Sequence, residues 1–289
     1  MDWLTTLAKK GFGKQADILR RHAIRHIQMT TSLSAEAKFK LGESKIGGCP
    51  HLPADFQWPL HDGKPLAFLA QFELKTIARY DRHHRLPAKG ILYFFHAGND
   101  VWGFDPRDRS GFRVIHLPGD PARLNVTPVP PGLKKEGLFF YPCKLKFTQK
   151  LSYPTDRAFS TSLFDETSFE NDDARREFQE ILDEWNDDKP NEPRHMLFGY
   201  PDLIQGDSMY LASQLVSNGF YCGHTTEHND PRAKELEKGA GDWTLLFQID
   251  TDENPGIMWG DCGIIYFNIR KDDLQKRNFD AAWAILQCY

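Results

Sequence analysis

Three short segments occur twice in this chain, in the same order. Gly48-Cys49-Pro50-His51-Leu52 is answered by Gly199-Tyr200-Pro201-Asp202-Leu203. Leu69-Ala70-Gln71-Phe72-Glu73 is answered by Leu246-Phe247-Gln248-Ile249-Asp250, and Gly90-Ile91-Leu92-Tyr93-Phe94 by Gly263-Ile264-Ile265-Tyr266-Phe267. Ordered recurrence of this kind marks a duplicated supersecondary unit. The spacing grows between the first match and the second, so the second half carries an insertion, which the helical stretch 208–238 supplies. The expected fold is α+β: two sheet-rich structural repeats related by pseudo-twofold symmetry, with an N-terminal helix and helical insertions in the second half.

With 289 residues the chain can bury roughly three quarters of its unfolded surface, so it needs no disulfide or metal in order to fold. Its 26% charged and 40% hydrophobic residues are a globular balance. Five scattered cysteines with no CxxC pair suit a reducing compartment. No signal peptide is visible, and the apolar runs are strand-sized, so a cytoplasmic location with no membrane partner is expected. The net charge of −4 gives no basic excess for nucleic acid.

Residues 1 to about 28 read as a basic surface helix, within an N-terminal segment 1–43. Residues 44–131 form the first sheet-rich repeat. There Gly90 to His96 reads as a central strand covered on both faces, and Val101 to Phe104 and Phe112 to Leu117 read as edge strands. The proline-rich stretch 118–132 is the best linker. A connector, 132–194, holds the clearest helix, 167–186, capped by Thr167 or Ser168. The second repeat, 195–289, has strands at 243–249 and 263–269 and a closing helix and strand.

The recurring segments also carry a likeness. Ser44-Lys-x-Gly47-Gly48-x-Pro50-x-Leu52-Pro53, Trp58-Pro59, Leu69-Ala70-Gln71 and Trp259-Gly260-Asp261-x-Gly263-x-x-Tyr266-Phe267-x-Ile269 resemble the YwqG-like family of uncharacterised bacterial proteins. The resemblance runs from about Ser44 to the C-terminus. It implies a duplicated, sheet-rich cytoplasmic protein and no established activity, and it suggests a role in immunity to a toxin.

Gln71 and Gln248 are the first candidate binding residues. In a strand each shares a face with the acid two positions on, Glu73 or Asp250, and such pairs suit the wall of a polar cleft between the repeats. The bland alternative is that each amide ties down a neighbouring loop. The Trp259-Gly260-Asp261 turn, with Trp58 as its counterpart, is the candidate protein-binding surface, because Trp is enriched at interface hot spots. The alternative there is an aromatic closing the end of the sheet.

Asp250, Asp252, Asn254 and Asp261 fall at calcium-loop spacings, but Pro255 stands where that loop needs glycine, so a solvated hairpin turn is expected. Cys222, His224 and His228 offer three zinc-type ligands without a fourth. His22 and His26 have zincin spacing without the glutamate base, which favours a helix surface. Cys262 reads as a buried strand-edge thiol. No P-loop, dinucleotide fingerprint, nucleophile elbow or HExxH occurs. No metal, cofactor or catalytic residue is therefore assigned. The expected function is a non-catalytic protein-interaction module, and the alternative is a small-molecule binder or enzyme using the inter-repeat cleft.

Overall fold

One of the two longest described strands begins where the sequence reading expects helix to continue. The computed structural model describes residues 3–160, 163–187, 192–205, 209–225 and 229–289. Helix α1 (Trp3–Leu7) and helix α2 (Gly13–Arg21) flank a wide turn, and α2 stops at His22. Strand β1 then runs over Ile24–Leu33. The reason lies in its composition: Ile24, Ile27, Thr30 and Thr31 are β-branched, and Ile27 and Met29 are buried on one face. His22 and His26 consequently do not share a helix surface. The basic residues Lys9, Lys10, Lys14, Arg20 and Arg21 are exposed, while Leu4, Leu7, Phe12 and Leu19 pack against Phe164, Phe178 and Leu182.

Besides β1, the main sheet contains β2 (Lys45–Ile46), β3 (Ala67–Glu73), β4 (Ile91–His96), β5 (Phe112–Leu117) and β6 (Cys143–Ser152). It continues with β7 (His195–Leu197), β8 (Trp243–Asp250), β9 (Ile264–Arg270) and β10 (Trp283–Gln287). Their order is β10-β9-β8-β7-β1-β6-β2-β3-β4-β5, antiparallel throughout. The two central strands, β1 and β6, pair along their whole length from Ile24↔Ser152 to Leu33↔Cys143. They come from the stretches assigned on sequence to an N-terminal segment and a connector. Register irregularities occur at matching places, between Phe68 and Ala70 in β3 and between Leu245 and Phe247 in β8.

The sheet curls until its edges nearly meet. Val101 to Phe104 is a connecting loop rather than an edge strand, and it bridges that gap: Leu286 N–H donates to Trp102 O, and Trp283 Nε1–H to Gly103 O at 2.7 Å. Trp283 packs edge-on against Phe112. Inside the curl, Phe94 lies 4.6 Å from Phe247 and 5.0 Å from Phe267, and Phe72 lies 5.1 Å from Phe247. The two halves therefore meet in solid aromatic packing. β4 and β9 are each one strand in from an edge, and every residue of β4 is buried.

Helix α3 (Asp172–Asp187) starts later than the sequence reading expects, with Asn171 rather than Thr167 or Ser168 accepting from Ala174 N–H. Helices α4 (Met209–Val216) and α5 (Pro231–Glu237) lie in the stretch 208–238 that the sequence reading expects to be helical. The expected start at Ser208, and His228, lie outside the described residues. No helix among the described residues is long and apolar enough to cross a membrane.

Candidate functional site

Gln71 and Gln248 are fully buried on the outer face of the sheet, and each holds down the loop that follows a short neighbouring strand. Gln71 Oε1 accepts from His51 N–H at 2.8 Å and its Nε2 donates to Glu43 O at 2.8 Å. Gln248 Oε1 accepts from Asp202 N–H at 3.0 Å and its Nε2 donates to Arg194 O at 2.8 Å. Tyr93 and Tyr266 complete the two clamps, donating to His51 O at 2.6 Å and Asp202 O at 2.5 Å. A buried amide without partners would cost on the order of 1–3 kcal/mol, and both amides are satisfied at oxygen and nitrogen.

The clamped loops differ in what they carry. In the first half, the fully buried Lys45 donates to Glu36 and to Cys49 O, with His51 Nε2 3.2 Å from its Nζ. Burial would raise the Glu36 pKa, but the neighbouring His51 ring and the bonds from Lys45 and Cys49 N–H hold it down at about 2. Lys45 and His51 are fully buried in this cluster, and Glu36 closes it with a side chain 28% exposed.

In the second half the loop opens onto a cleft of about 360 Å³, bounded by Trp3 and Trp185, by His26 of β1 and Lys150 of β6, and by Arg194, Tyr200 and Asp202. Phe198 enters the loop at φ 65, where the first half has Gly47 at φ 68. The left-handed region costs a bulky residue on the order of 1–3 kcal/mol, which burial of the ring beneath the Arg85 guanidinium, 3.5 Å from its centroid, offsets. Tyr200 ties the loop down: its N–H donates to Ser152 Oγ at 3.0 Å and its hydroxyl to His22 O at 3.0 Å.

Arg194 is held from behind. Its N–H and Nε–H both donate to Asp250 Oδ2, at 2.8 and 3.2 Å. Burial works against its charge, but Asp202 and Asp250 outweigh burial and raise its pKa above the ordinary value. Gln248 and Asp250 thus support the cleft rather than line it, and Gln71 and Glu73 lie away from it.

The remaining sequence candidates are placed as follows. Trp259 is 1% exposed, edge-on to Phe140 at 5.3 Å and to His96 at 6.4 Å, so it is an interior residue. Asp261 is exposed, and its carbonyl accepts from Tyr289 N–H. Trp58 is half-buried, donates to Leu66 O at 2.9 Å and packs edge-on against Phe95. Asp250 is taken up by Arg194; Asp252 accepts from Thr31 Oγ1, His195 Nε2 and Asn254 N–H at 2.5–2.9 Å. Two of the calcium-spaced carboxylates are thereby spent on protein groups. Cys222 is buried, which pushes its thiol pKa up to about 11. Cys262 is exposed, at φ 52, rather than a buried strand-edge thiol.

The sequence pattern of a family described as a domain of unknown function, DUF1963, matches residues 44–288. The chain belongs to that family. The DUF1963 match covers all of the main sheet except β1, and the glutamine and tyrosine of both clamps. Trp3 and His26 stand outside it, so the cleft is walled partly by family residues and partly by the N-terminal segment. No curated protein matches the chain.

Arg194, Tyr200, Trp3 and Trp185 were missed on sequence as cleft residues. Tyr200 and Asp202 lay within the first repeated segment, which was the available signal. Trp185, within the helix expected over 167–186, is 38% exposed and stacks on Trp3 at 4.7 Å.

Proposed function

We propose that this DUF1963 protein is a binding module that takes a small polar molecule in the cleft between α1, α3, β1 and the 198–205 loop. The observation that carries this reading is the convergence of fixed polar groups on one concave site, where cofactors and ligands characteristically bind. The filled aromatic junction between the halves argues against a cleft on the other face of the sheet. Thermal-shift screening against a metabolite panel tests the reading. A compound that raises the melting temperature of the native protein, but not that of Trp185→Ala, supports it. Failure of every compound, or equal shifts in both proteins, counts against it.

A second reading is a protein-docking surface around the 256–260 turn. Trp259 itself is interior, but Trp102, Tyr141 and Met258 are 40–58% exposed beside it: Tyr141 meets Gly256, and Trp102 approaches Gly260. Such a patch suits a protein partner, including a toxin to be neutralised.

The paired bonds of Gln71 and Gln248, and of Tyr93 and Tyr266, support the finer architecture: one sheet unit doubled about a pseudo-twofold axis between β1 and β6. The YwqG-like likeness and the free cysteines support a cytoplasmic bacterial protein.

A further inference from the structure

We infer that the open outer face of β1 and β6 is a groove for an acidic, extended segment of a partner protein. Register fixes which side chains stand on it: Ser32 lies opposite Lys144, Thr30 opposite Lys146 and Gln28 opposite Thr148. Lys144 in turn shares a face with Lys45 and Gln71, and Gln28 with Met196 and Gln248, so this is the face that carries both clamped loops. From the other face of the same strands, Ile27, Met29, Leu145 and Phe147 pack against the main core. The clamped loops cover the outer faces of β3 and β8 and leave those of β1 and β6 open: Thr30, Ser32, Lys146 and Thr148 are all exposed.

Charge complementarity names the occupant. Lys144 donates to Lys38 O at 2.9 Å, which brings the 36–43 loop alongside β6 and sets Lys38 and Lys40, both exposed, beside the groove. The carboxylates of that loop are already engaged: Glu36 is spent on the buried Lys45, and Glu43 alone serves Lys40 and Lys144. Lys38 and Lys146 have no acidic partner among the described residues, and the side chains of Gln28, Thr30, Ser32 and Thr148 have no hydrogen-bond partner among them. Lys150 lines the ligand cleft and is left out of the assignment. Lys144 and Lys146 stand two residues apart on a strand, about 7 Å, which is also the spacing of alternate side chains in an extended peptide. Acids at alternate positions of such a peptide meet the lysines in step, while the hydroxyls and the Gln28 amide serve its backbone. From Gln28 to Ser32 and from Lys144 to Thr148 this face carries no aromatic ring on which a nucleic-acid base could stack, and the net charge of −4 opposes a polyanion.

Fluorescence anisotropy with the full chain tests this. The probes are a labelled hexapeptide alternating Glu with Ser, its Gln–Ser counterpart, and hexathymidylate as a single-stranded nucleic acid. The Glu–Ser peptide is expected to bind, and the Gln–Ser peptide to bind at least about tenfold more weakly. The double variant Lys38→Glu/Lys146→Glu should weaken the Glu–Ser peptide by at least about tenfold as well. Lys234→Glu/Lys276→Glu, the same change of charge at exposed lysines elsewhere, should bind it as the native protein does. The comparison of the two peptides on the native protein does not depend on the folding of any variant. No binding of the Glu–Ser peptide, equal binding of the two peptides, or equal loss in the two double variants overturns the inference. Tighter binding of hexathymidylate, lost in Lys38→Glu/Lys146→Glu, makes the groove a nucleic-acid surface and overturns the peptide occupant. Lys38 and Lys146 do not line the ligand cleft, so this test and that of the cleft are decided separately.

Discussion

Arg194 places two donors, its backbone N–H and its Nε–H, on the single oxygen Oδ2 of Asp250. The Asp250 side chain is 9% exposed and that of Arg194 27%, so the pair sits at the boundary between core and cleft. Removing one member of such a pair leaves the other charge uncompensated. Asp250→Asn should lower stability by about 3 kcal/mol in a urea titration. It should also loosen Arg194, so any cleft ligand should bind more weakly. Unchanged stability together with unchanged binding would show that the pair neither supports the fold nor fixes the arginine.

Trp259 and Phe94 should be equally costly to truncate. Both are essentially inaccessible, Trp259 at 1% and Phe94 at 0%, and both pack in the aromatic interior of the curl. Truncating a large buried ring costs about 3–5 kcal/mol. Chemical denaturation of Trp259→Ala and Phe94→Ala should give losses in that range. A near-neutral Trp259→Ala would return that residue to the surface role expected from sequence.

The Glu36–Lys45–His51 cluster makes stability pH-dependent on the acid side. The folded pKa of Glu36, about 2, lies below the ordinary glutamate value of 4.5. A carboxylate with a depressed folded pKa contributes stability that is fully present above its unfolded pKa and is lost as pH falls through the folded one. The protein should therefore lose up to a few kcal/mol as the pH falls from about 5 to about 2. In Glu36→Gln that part of the acid sensitivity should vanish, while stability at neutral pH drops because Lys45 stays buried without its counter-charge. Parallel pH profiles for the two proteins would contradict the assignment.

Calcium should have no specific effect. Asp252 already accepts three bonds, and Asp250 is held by Arg194. Adding calcium, or removing divalent ions with EDTA, should leave the melting temperature unchanged. A rise of several degrees with calcium would mean that these carboxylates exchange protein partners for the ion.

The periodicity of the chain made the doubled strands legible, because Ile91 to Phe95 and Ile264 to Phe267 are apolar on both faces and must be covered on both sides. The tie-down role of Gln71 and Gln248 was weighed from their strand faces. What escaped is long-range. β1 was hidden because Ile24 and Ile27 extend the apolar spacing of α2, and local spacing cannot separate the start of a strand from the continuation of a helix. β6 reads Lys-Leu-Lys-Phe-Thr-Gln-Lys, a polar alternation whose central place depends on pairing with β1. Arg194 had no sequence signal at all, since its role comes from Asp250, 56 residues away, and from the shape of the cleft.

The most direct test of the cleft as the binding site is a ¹⁵N NMR titration with whichever compound the metabolite screen selects. The indole N–H signals of Trp3 and Trp185 and the Nε–H signal of Arg194 report on its walls, and the indole N–H of Trp259 reports on the opposite candidate. The account predicts that the first three shift together along one saturable curve while the Trp259 signal stays in place. Movement of Trp259 with the cleft signals unmoved would contradict it.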